Sequence, residues 1–245
     1  MDLFSLPPVA AALHAASSLL LGLAALLQPV AGTASAAVAI ILVTLLVRAA
    51  LIPVGVSQAK AEQMRSRLAP KLRVLQERHR NDRERLLRET MKLYADENAS
   101  PFAGCLPLLI QAPIVGVIYA LFVHARIAGA ANDLLLQHVF GVPLGASAVG
   151  MLGAGAFTPG AAVVFGVLVA AISVVAEITR RRLRPPALQP TPQGAMRLVG
   201  VLQFTAAGIA LFVPLAAGIY LLVTVAWTLV QRLLLRRRYP LAVPR

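Results

Sequence analysis

The sequence predicts an all-α polytopic membrane protein with five transmembrane helices, and three observations support this fold class. Of the 245 residues, 58% are hydrophobic and only 13% are charged, whereas soluble domains carry roughly 25% charged residues. Five apolar segments approach or reach the length of a membrane span. The charge is one-sided, with 23 Lys and Arg against 10 Asp and Glu. This amount of charge is too small to cover the surface of a soluble globule. The composition therefore excludes a soluble enzyme, and it also excludes a disordered chain.

The predicted spans follow from the need for about 20 apolar residues in a transmembrane helix. They lie at about 34–56, 104–124, 161–178, 198–213 and 215–233. The third and fourth are short, which favours a locally thinned bilayer or a helix buried within the protein. Pro214 separates the fourth span from the fifth and predicts a tight hairpin there, because proline breaks helices.

Residues 8–30 form a further apolar segment whose placement the sequence leaves open. Four of its residues are polar: His14, Ser17, Ser18 and Gln28. We expect an N-terminal helix within residues 1–33 that lies at the outer membrane interface. Because the segment is long enough to cross a bilayer, a spanning helix is the alternative.

The basic residues predict the orientation of the chain. Of the 23 Lys and Arg, 21 lie in three segments, 57–103, 179–197 and 232–245. Five alternating spans place these segments on one side, which the positive-inside rule assigns to the cytoplasm. We therefore expect a core of residues 34–238 that begins outside the cell and ends inside it. Residues 239–245 then form a short cytoplasmic tail.

The first cytoplasmic segment, residues 57–100, is predicted to form a helical hairpin. Apolar residues at helical spacing give each half one apolar face: Met64, Leu68 and Leu72 in the first half, Leu86 and Leu87 in the second. Asn81 or Asp82 can cap the second helix. We expect the apolar faces to pack against each other, so that these residues act through packing rather than through chemistry.

Arg48 is the most informative single residue because it lies inside the first predicted span. At 1.5 Å per residue it is roughly 12 Å from the cytoplasmic edge. Arginine near a helix centre costs about 2.5–3.5 kcal/mol, so it normally faces a bundle interior or a wet cavity. An arginine that snorkels to the headgroups is the alternative. Thr44, one turn earlier, extends a polar stripe, and Pro53 predicts a kink after it.

Two other spans contain polar residues among apolar ones. Gln111 lies in the second predicted span, and Tyr220 lies in the fifth. An amide in lipid requires a hydrogen-bond partner. Lining of a groove and hydrogen bonding between helices explain these two residues equally well. Thr205 and Thr228 are more typical of hydrogen bonds between helices.

One block has an unusual combination of glycine, cysteine, prolines and glutamine. Residues 104–114 read GCLPLLIQAPI, and Tyr119 follows. This block resembles the GCLPxLIQxPI signature of the YidC/Oxa/Alb family of membrane protein insertases, in its bacterial plasma-membrane branch. Thr44 and Arg48, in TLLVR, are similar to the groove threonine and arginine of that family. The resemblance covers about residues 34–238, which correspond to the five-helix core of the family.

The end of the core is similar to the same family through Pro214, Tyr220 and Gln231. The resemblance implies an insertase and chaperone of the bacterial plasma membrane, which acts without nucleotide hydrolysis or a cofactor. It implies a hydrophilic groove, open to cytoplasm and lipid, that is lined by Arg48, Thr44, Gln111 and Tyr220. The implied partners are nascent membrane proteins and the lipid bilayer, with the Sec translocon and the ribosome as further candidates and no specific nucleic acid.

Two other functional classes fit the sequence less well. The chain has no HExxH motif, no Ser/His pair on the spans and no paired intramembrane aspartates, so we expect neither catalytic residues nor a metal site. A transporter of small anions or solutes that uses Arg48 is the main alternative. The sequence shows no internal repeat, which weighs against the inverted-repeat transporters.

Overall fold

A computed structural model describes residues 7–100, 116–117, 119–124, 126–127, 130–183, 202 and 204–241. Nine helices are labelled among these residues: α1 (Pro7–Ala31), α2 (Ser35–Ala50), α3 (Ile52–Arg78), α4 (Arg83–Asp96), α5 (Asp133–Leu136), α6 (Ala148–Gly153), α7 (Pro159–Arg182), α8 (Thr205–Phe212) and α9 (Leu215–Arg238). Residues 116–117 and 119–123 are also helical. Two short antiparallel pairs join β1 (Arg126–Ile127) to β2 (Ala130–Ala131) and β3 (His138–Val139) to β4 (Val142–Pro143). The chain is therefore mostly helical, as predicted.

Within these described ranges, three helical segments are long and apolar enough to cross a membrane. They are Ala11–Ala50, Pro159–Arg182 and Leu215–Arg238. These segments contain most of the first predicted span and all of the third and fifth. The second predicted span, 104–124, lies mostly outside the described residues, and the fourth, 198–213, is described only at 202 and from 204 onward. The five-span topology therefore stays a prediction.

Helix α1 lies antiparallel along α2. One turn of 3₁₀ helix, Gly32–Ala34, joins the two helices, and Gly32 has a φ of +51°, a conformation that favours glycine. Ala16 and Val47, each about four turns from this connection, line the same cavity. With 25 residues, α1 is about 37 Å long. Its length and its pairing favour the spanning alternative for residues 8–30 over the interfacial position.

The first predicted span is divided near its C-terminal end. Helix α2 ends at Ala50 and α3 begins at Ile52, so the predicted range 34–56 is interrupted at Leu51. Pro53 lies in the first turn of α3, where its missing N–H leaves no helical hydrogen bond unmade. The interruption lies where Pro53 predicted a kink, and α3 begins before the hairpin start predicted at residue 57.

The apolar core lies where α1, α2, α7, α8 and α9 meet. Its largest fully buried side chains include Leu20, Ile40, Phe165, Ile172 and Leu215. At Gly218 a Cβ would lie 2.7 Å from Cδ2 of Leu168. Small residues allow such close approach between helices in membranes, so Gly218 brings α9 onto α7.

The loop before α7 caps the start of α9. The backbone N–H of Leu215 donates to the carbonyl of Ala146, and that of Ala216 donates to the carbonyl of Leu144, each at 2.9 Å. A helix start leaves four N–H groups without partners within the helix. These two bonds satisfy half of them, so the loop fixes the position of α9 relative to the rest of the bundle.

Helix α4 returns to the middle of α3. Oδ1 of Asp82 accepts a hydrogen bond from the Arg85 N–H at 2.9 Å, so Asp82 is the helix cap of the two that the sequence offered. Glu97, directly after α4, accepts from Arg67 at 2.5 Å and also from Lys71. The bonds from Lys71 and Arg67 lower the pKa of the Glu97 carboxyl below its ordinary value of 4.5.

Candidate functional site

A polar cavity of about 250 Å³ lies at the junction of α2, α3 and α9. Its polar lining consists of Arg48, Gln58, Glu62, Thr228, Gln231, Arg232, Arg236 and Tyr239. We call it the arginine cavity, because three guanidinium groups face one carboxylate. The positive surplus makes the cavity complementary to an anionic group.

Each helix places its charged residues in the arginine cavity by simple spacing. Arg48 lies in the last turn of α2, where the negative end of the helix dipole favours a cation. Arg232 and Arg236 are four residues apart on α9, and Gln58 and Glu62 are four residues apart on α3. Residues at this spacing share a helix face. The two helices therefore present a basic pair and a polar pair to the same space.

Two contacts hold α3 and α9 together at this cavity. A terminal nitrogen of Arg236 donates to Oε1 of Glu62 at 3.2 Å. At Gly55 a Cβ would lie 1.9 Å from Nε2 of Gln231, so the glutamine side chain packs directly against the Gly55 backbone. Oε1 of Gln231 in turn accepts from Nε1 of Trp227 at 3.2 Å. A side chain at position 55 would therefore have to displace the Gln231 amide.

The residues after α9 are also held against α3. Nε2 of Gln63 donates to the carbonyl of Pro240 at 3.1 Å. Nζ of Lys60 lies 5.9 Å from the centroid of the Tyr239 ring, within the range of a cation–π interaction. Tyr239 also lines the arginine cavity, so the end of the chain forms part of its wall.

The arginine cavity contains donors that the described residues leave unmatched. Nε of Arg236 is buried and has no hydrogen-bond partner among them. Within the same ranges, the side chains of Arg48 and Arg232 make neither an ion pair nor a hydrogen bond. Each guanidinium carries five N–H donors. The cavity therefore offers an anion several donors that Glu62 alone does not satisfy.

Thr44 lines a second cavity, of about 380 Å³, which lies between α1, α2 and the helical residues Val117, Leu121 and Phe122. Its other walls are apolar, from Ala16, Leu19, Leu20, Ile40, Val43, Val47, Val117, Leu121 and Phe122. We call it the apolar cavity. Thr44 is only 4% exposed, and its Oγ1 donates to the Ile40 carbonyl at 2.6 Å. The hydroxyl is therefore satisfied within its own helix.

Of the two other predicted groove residues, Tyr220 and Gln111, the structure describes only Tyr220. The Tyr220 ring lies 6.0 Å from the Phe122 ring at an angle of 45°, and Phe122 lines the apolar cavity. Tyr220 is therefore on the side of Thr44 rather than in the lining of the arginine cavity. Gln111, with the whole block 104–114, lies outside the described residues.

The predicted hairpin residues differ in burial. Leu68 is fully buried, whereas Met64, Leu72 and Leu86 are half-buried. Leu87 is 59% exposed, so it lies on the outer side of α4 rather than in its contact with α3. Of the five, Leu68 is therefore the most buried and Leu87 the most exposed.

Sequence reasoning missed several residues of the arginine cavity. The four-residue spacings of Gln58 with Glu62 and of Arg232 with Arg236 are visible in the sequence, but they are also typical of solvated helix faces. The pairing of Glu62 with Arg236 joins positions 174 residues apart, and no local pattern predicts it. Gly55 stands out only once the position of Gln231 is known.

Comparison with known proteins identifies the family of the chain. The family model for the 60Kd inner membrane protein matches residues 26–242. The membrane protein insertase YidC of Streptomyces avermitilis is 30% identical over 220 residues, which cover 82% of this chain and 51% of that protein. YidC of Zymomonas mobilis is 29% identical over 203 residues, 82% of this chain and 34% of that protein. YidC of Clostridium perfringens is 41% identical over 85 residues, 35% of this chain and 36% of that protein.

In these alignments the chain spans about half or less of the length of each relative. The family model nevertheless extends from within α1 to the end of α9. It therefore includes the arginine cavity, the α3–α4 pair and the part of the apolar cavity from Ile40 onward, but not Ala16, Leu19 and Leu20. The chain belongs to the 60Kd inner membrane protein family, the YidC/Oxa/Alb family of membrane protein insertases.

Proposed function

We propose that this protein inserts membrane proteins into the bacterial plasma membrane and assists their folding. Its relatives are named membrane protein insertases. The observation that carries the proposal is the position of Arg48. This half-buried arginine lies near the end of a segment that is long and apolar enough to cross a membrane, and it lines a cavity with a positive surplus. An insertase needs such a polar space within the membrane, whereas a membrane scaffold does not.

The physical task of an insertase is to move a hydrophilic segment across hydrocarbon. Each unsatisfied backbone polar group in lipid costs several kcal/mol. A wet groove that reaches partway into the bilayer shortens the dry path. Arg48 holds an acidic residue of the client through a charge-assisted contact. Burial of the apolar helix of the client in lipid, at roughly 25 cal/mol per Å², then drives its release, so that no nucleotide is required.

The two cavities receive different parts of the client. The part of the arginine cavity at Arg48 binds the hydrophilic segment, and the apolar cavity, with Thr44 on its wall and Tyr220 beside it, accepts the apolar helix. Gln111, outside the described residues, is proposed as a further groove residue from the sequence alone. Because Thr44 and Arg48 are one turn apart on α2, one client can contact both cavities while its apolar helix moves outward into lipid.

The proposed topology places the α3–α4 pair and the end of α9 in the cytoplasm. Residues 57–103 contain 11 basic and 7 acidic residues, so their excess of positive charge agrees with this side of the membrane. Here the pair meets the incoming client, and the ribosome and the Sec translocon are its further partners. The core begins outside the cell; because α1 pairs with α2 along its length, α1 spans the membrane as well.

Reconstitution of the purified chain into liposomes tests the function. A small client with one or two spans is synthesised in vitro, and protease protection of its translocated tail is measured. We expect protection with the wild type and with Arg65→Ala, since Arg65 is exposed on α3, and loss with Arg48→Ala. Equal protection with all three proteins would retain the insertase and refute the role of Arg48. No protection with the wild type would refute unaided insertion.

Transport of a small anion is a second candidate, because three arginines and one glutamate line the same cavity. Flux of a radiolabelled anion into protein-containing liposomes distinguishes it from insertion. If the cavity serves insertion, the flux equals that of protein-free liposomes. Flux that exceeds this background and falls with Arg48→Ala would favour the transporter.

A further inference from the structure

The arginine cavity extends beyond Arg48 to a basic pair at the end of α9 that the insertion mechanism does not use. Arg232 is exposed and makes no side-chain ion pair or hydrogen bond among the described residues. Arg236 gives one nitrogen to Glu62 at 3.2 Å, while its buried Nε has no partner within the same ranges. These two arginines share a helix face, so their donors converge on one region of the cavity.

The depth of this pair in the membrane follows from the length of α9. The helix begins at Leu215 and is one of the segments that can cross a membrane. At 1.5 Å per residue, Arg232 lies about 26 Å and Arg236 about 32 Å from this start. The hydrocarbon layer is about 30 Å thick. If Leu215 marks its outer boundary, the two arginines bracket the inner boundary, at the level of the lipid phosphates.

The chemistry of the pair matches a phosphate group. Guanidinium groups bind phosphate oxygens with paired, charge-assisted hydrogen bonds. Two like charges one turn apart repel each other, and an anion between them removes this repulsion. The cavity has a volume of about 250 Å³, far above the roughly 10–15 Å³ that one water requires. A headgroup phosphate therefore fits beside Gln58 and Glu62.

We infer that the end of the arginine cavity formed by Arg232 and Arg236 binds the phosphate of an anionic phospholipid from the inner leaflet. The lipid is held at the junction of α3 and α9, where Arg236 already pairs with Glu62. Arg48, which lies on α2 rather than α9, stays available for a client. The inference goes beyond insertion and does not depend on it, because binding of a lipid requires no client.

Native mass spectrometry of the full chain in detergent tests the inference, with phosphatidylglycerol as the probe. We expect one retained lipid per chain, and Arg232→Gln to weaken its binding by about tenfold, the effect of one charge-assisted contact. Arg237→Gln is the matched control. Arg237 carries the same charge as Arg232, lies on the same helix next to Arg236, and does not line the cavity. It should bind the lipid within about twofold of the wild type.

Several outcomes would overturn the inference. Equal weakening by Arg232→Gln and Arg237→Gln would show attraction to overall positive charge only. Unchanged binding in both would place the lipid elsewhere. Displacement of the lipid by inorganic phosphate at equal concentration would identify a free anion as the ligand. Because Arg232 is exposed and unbonded, its replacement should leave the fold intact, and circular dichroism of each variant verifies this. Client insertion is measured separately, so failure here leaves the proposed function unaffected.

Discussion

The two cavities beside α2 differ in character although Thr44 and Arg48 lie only four residues apart. The apolar cavity is closed by α1 and by Val117, Leu121 and Phe122, so leucine, valine and phenylalanine side chains face it. The arginine cavity is closed by α3 and α9, which bring amide and charged side chains. Two polar residues on the same face of α2 therefore have different environments. The neighbouring helices place Thr44 among apolar side chains and Arg48 among polar ones.

The role of a polar residue within an apolar helix depends on whether its side chain already has a hydrogen-bond partner. Thr44 satisfies its hydroxyl on the Ile40 carbonyl, so an apolar surrounding costs it little. Arg48 makes no hydrogen bond or ion pair with the described residues, so the five N–H donors of its guanidinium stay available to another group. Thr44 therefore acts as a structural residue, whereas Arg48, one turn later, can bind a ligand.

The largest expected effect comes from removing the charge that distinguishes the two cavities. Arg48→Ala should reduce insertion of a client with an acidic tail to background, because a charge-assisted contact worth about 1.5–3 kcal/mol is lost. Arg48→Lys should preserve most of the activity, since the site requires charge more than a planar fork. Complementation of an insertase-depleted bacterial strain measures both variants. Growth with the alanine variant at the wild-type rate would refute the prediction.

Much of this site could be predicted from the sequence, and the rest could not, for a physical reason. Arg48 could be predicted as a functional residue because a charge within an apolar run is costly. The helix interruption near Pro53 and the cap at Asp82 could be predicted because both depend on local backbone geometry. The Glu62–Arg236 and Gly55–Gln231 contacts join distant parts of the chain. They depend on how α3 crosses α9, which helical periodicity does not determine. The partition of Thr44 and Arg48 between two cavities depends on the same packing.

A second effect should follow from filling the close contact beside the arginine cavity. In Gly55→Ala the new methyl group displaces the Gln231 amide, which breaks its hydrogen bond from Trp227 and costs roughly 1 kcal/mol or more. Gly22→Ala is the matched control, because a Cβ there meets nothing within 4 Å. That control should gain about 0.5–1 kcal/mol from better helix propensity.

Thermal unfolding in detergent measures the two alanine variants against the wild type. We expect a lower midpoint for Gly55→Ala than for Gly22→Ala. Equal midpoints would mean that Gln231 moves aside at no cost, so that the tie between α3 and α9 would not depend on its position.

A smaller effect is expected on the side of the apolar cavity. Thr44→Val keeps the shape of the side chain and loses only a hydroxyl whose partner, the Ile40 carbonyl, retains its helical hydrogen bond. We expect stability to change by less than about 1 kcal/mol and insertion to stay within about twofold of the wild type. Thr44→Asp should instead lose both stability and insertion activity, because a carboxylate would be buried among apolar side chains. A large loss with valine in the protease-protection assay would show that the hydroxyl contacts the client directly.

The smallest expected effect concerns Glu97, whose exposed pairs with Lys71 and Arg67 contrast with the partly buried pair of Glu62 and Arg236. The pKa of Glu97 in the folded chain is lowered from 4.5 by its hydrogen bonds from Lys71 and Arg67. A carboxyl with a lowered pKa contributes stability above its unfolded pKa and loses it as the pH falls through its folded pKa. The contact of α4 with α3 should therefore loosen only below pH 4.5.

Distances between spin labels on the exposed positions Arg65 and Lys92 measure this contact. Glu97→Gln should give at pH 7 the wider distribution that the wild type reaches only in acid, and it should show no further change there. Surface ion pairs contribute little, so unfolding of the whole chain should be unaffected. If the wild type and Glu97→Gln have the same distribution at pH 7, then the charged pairs of Glu97 do not contribute to the contact between the two helices.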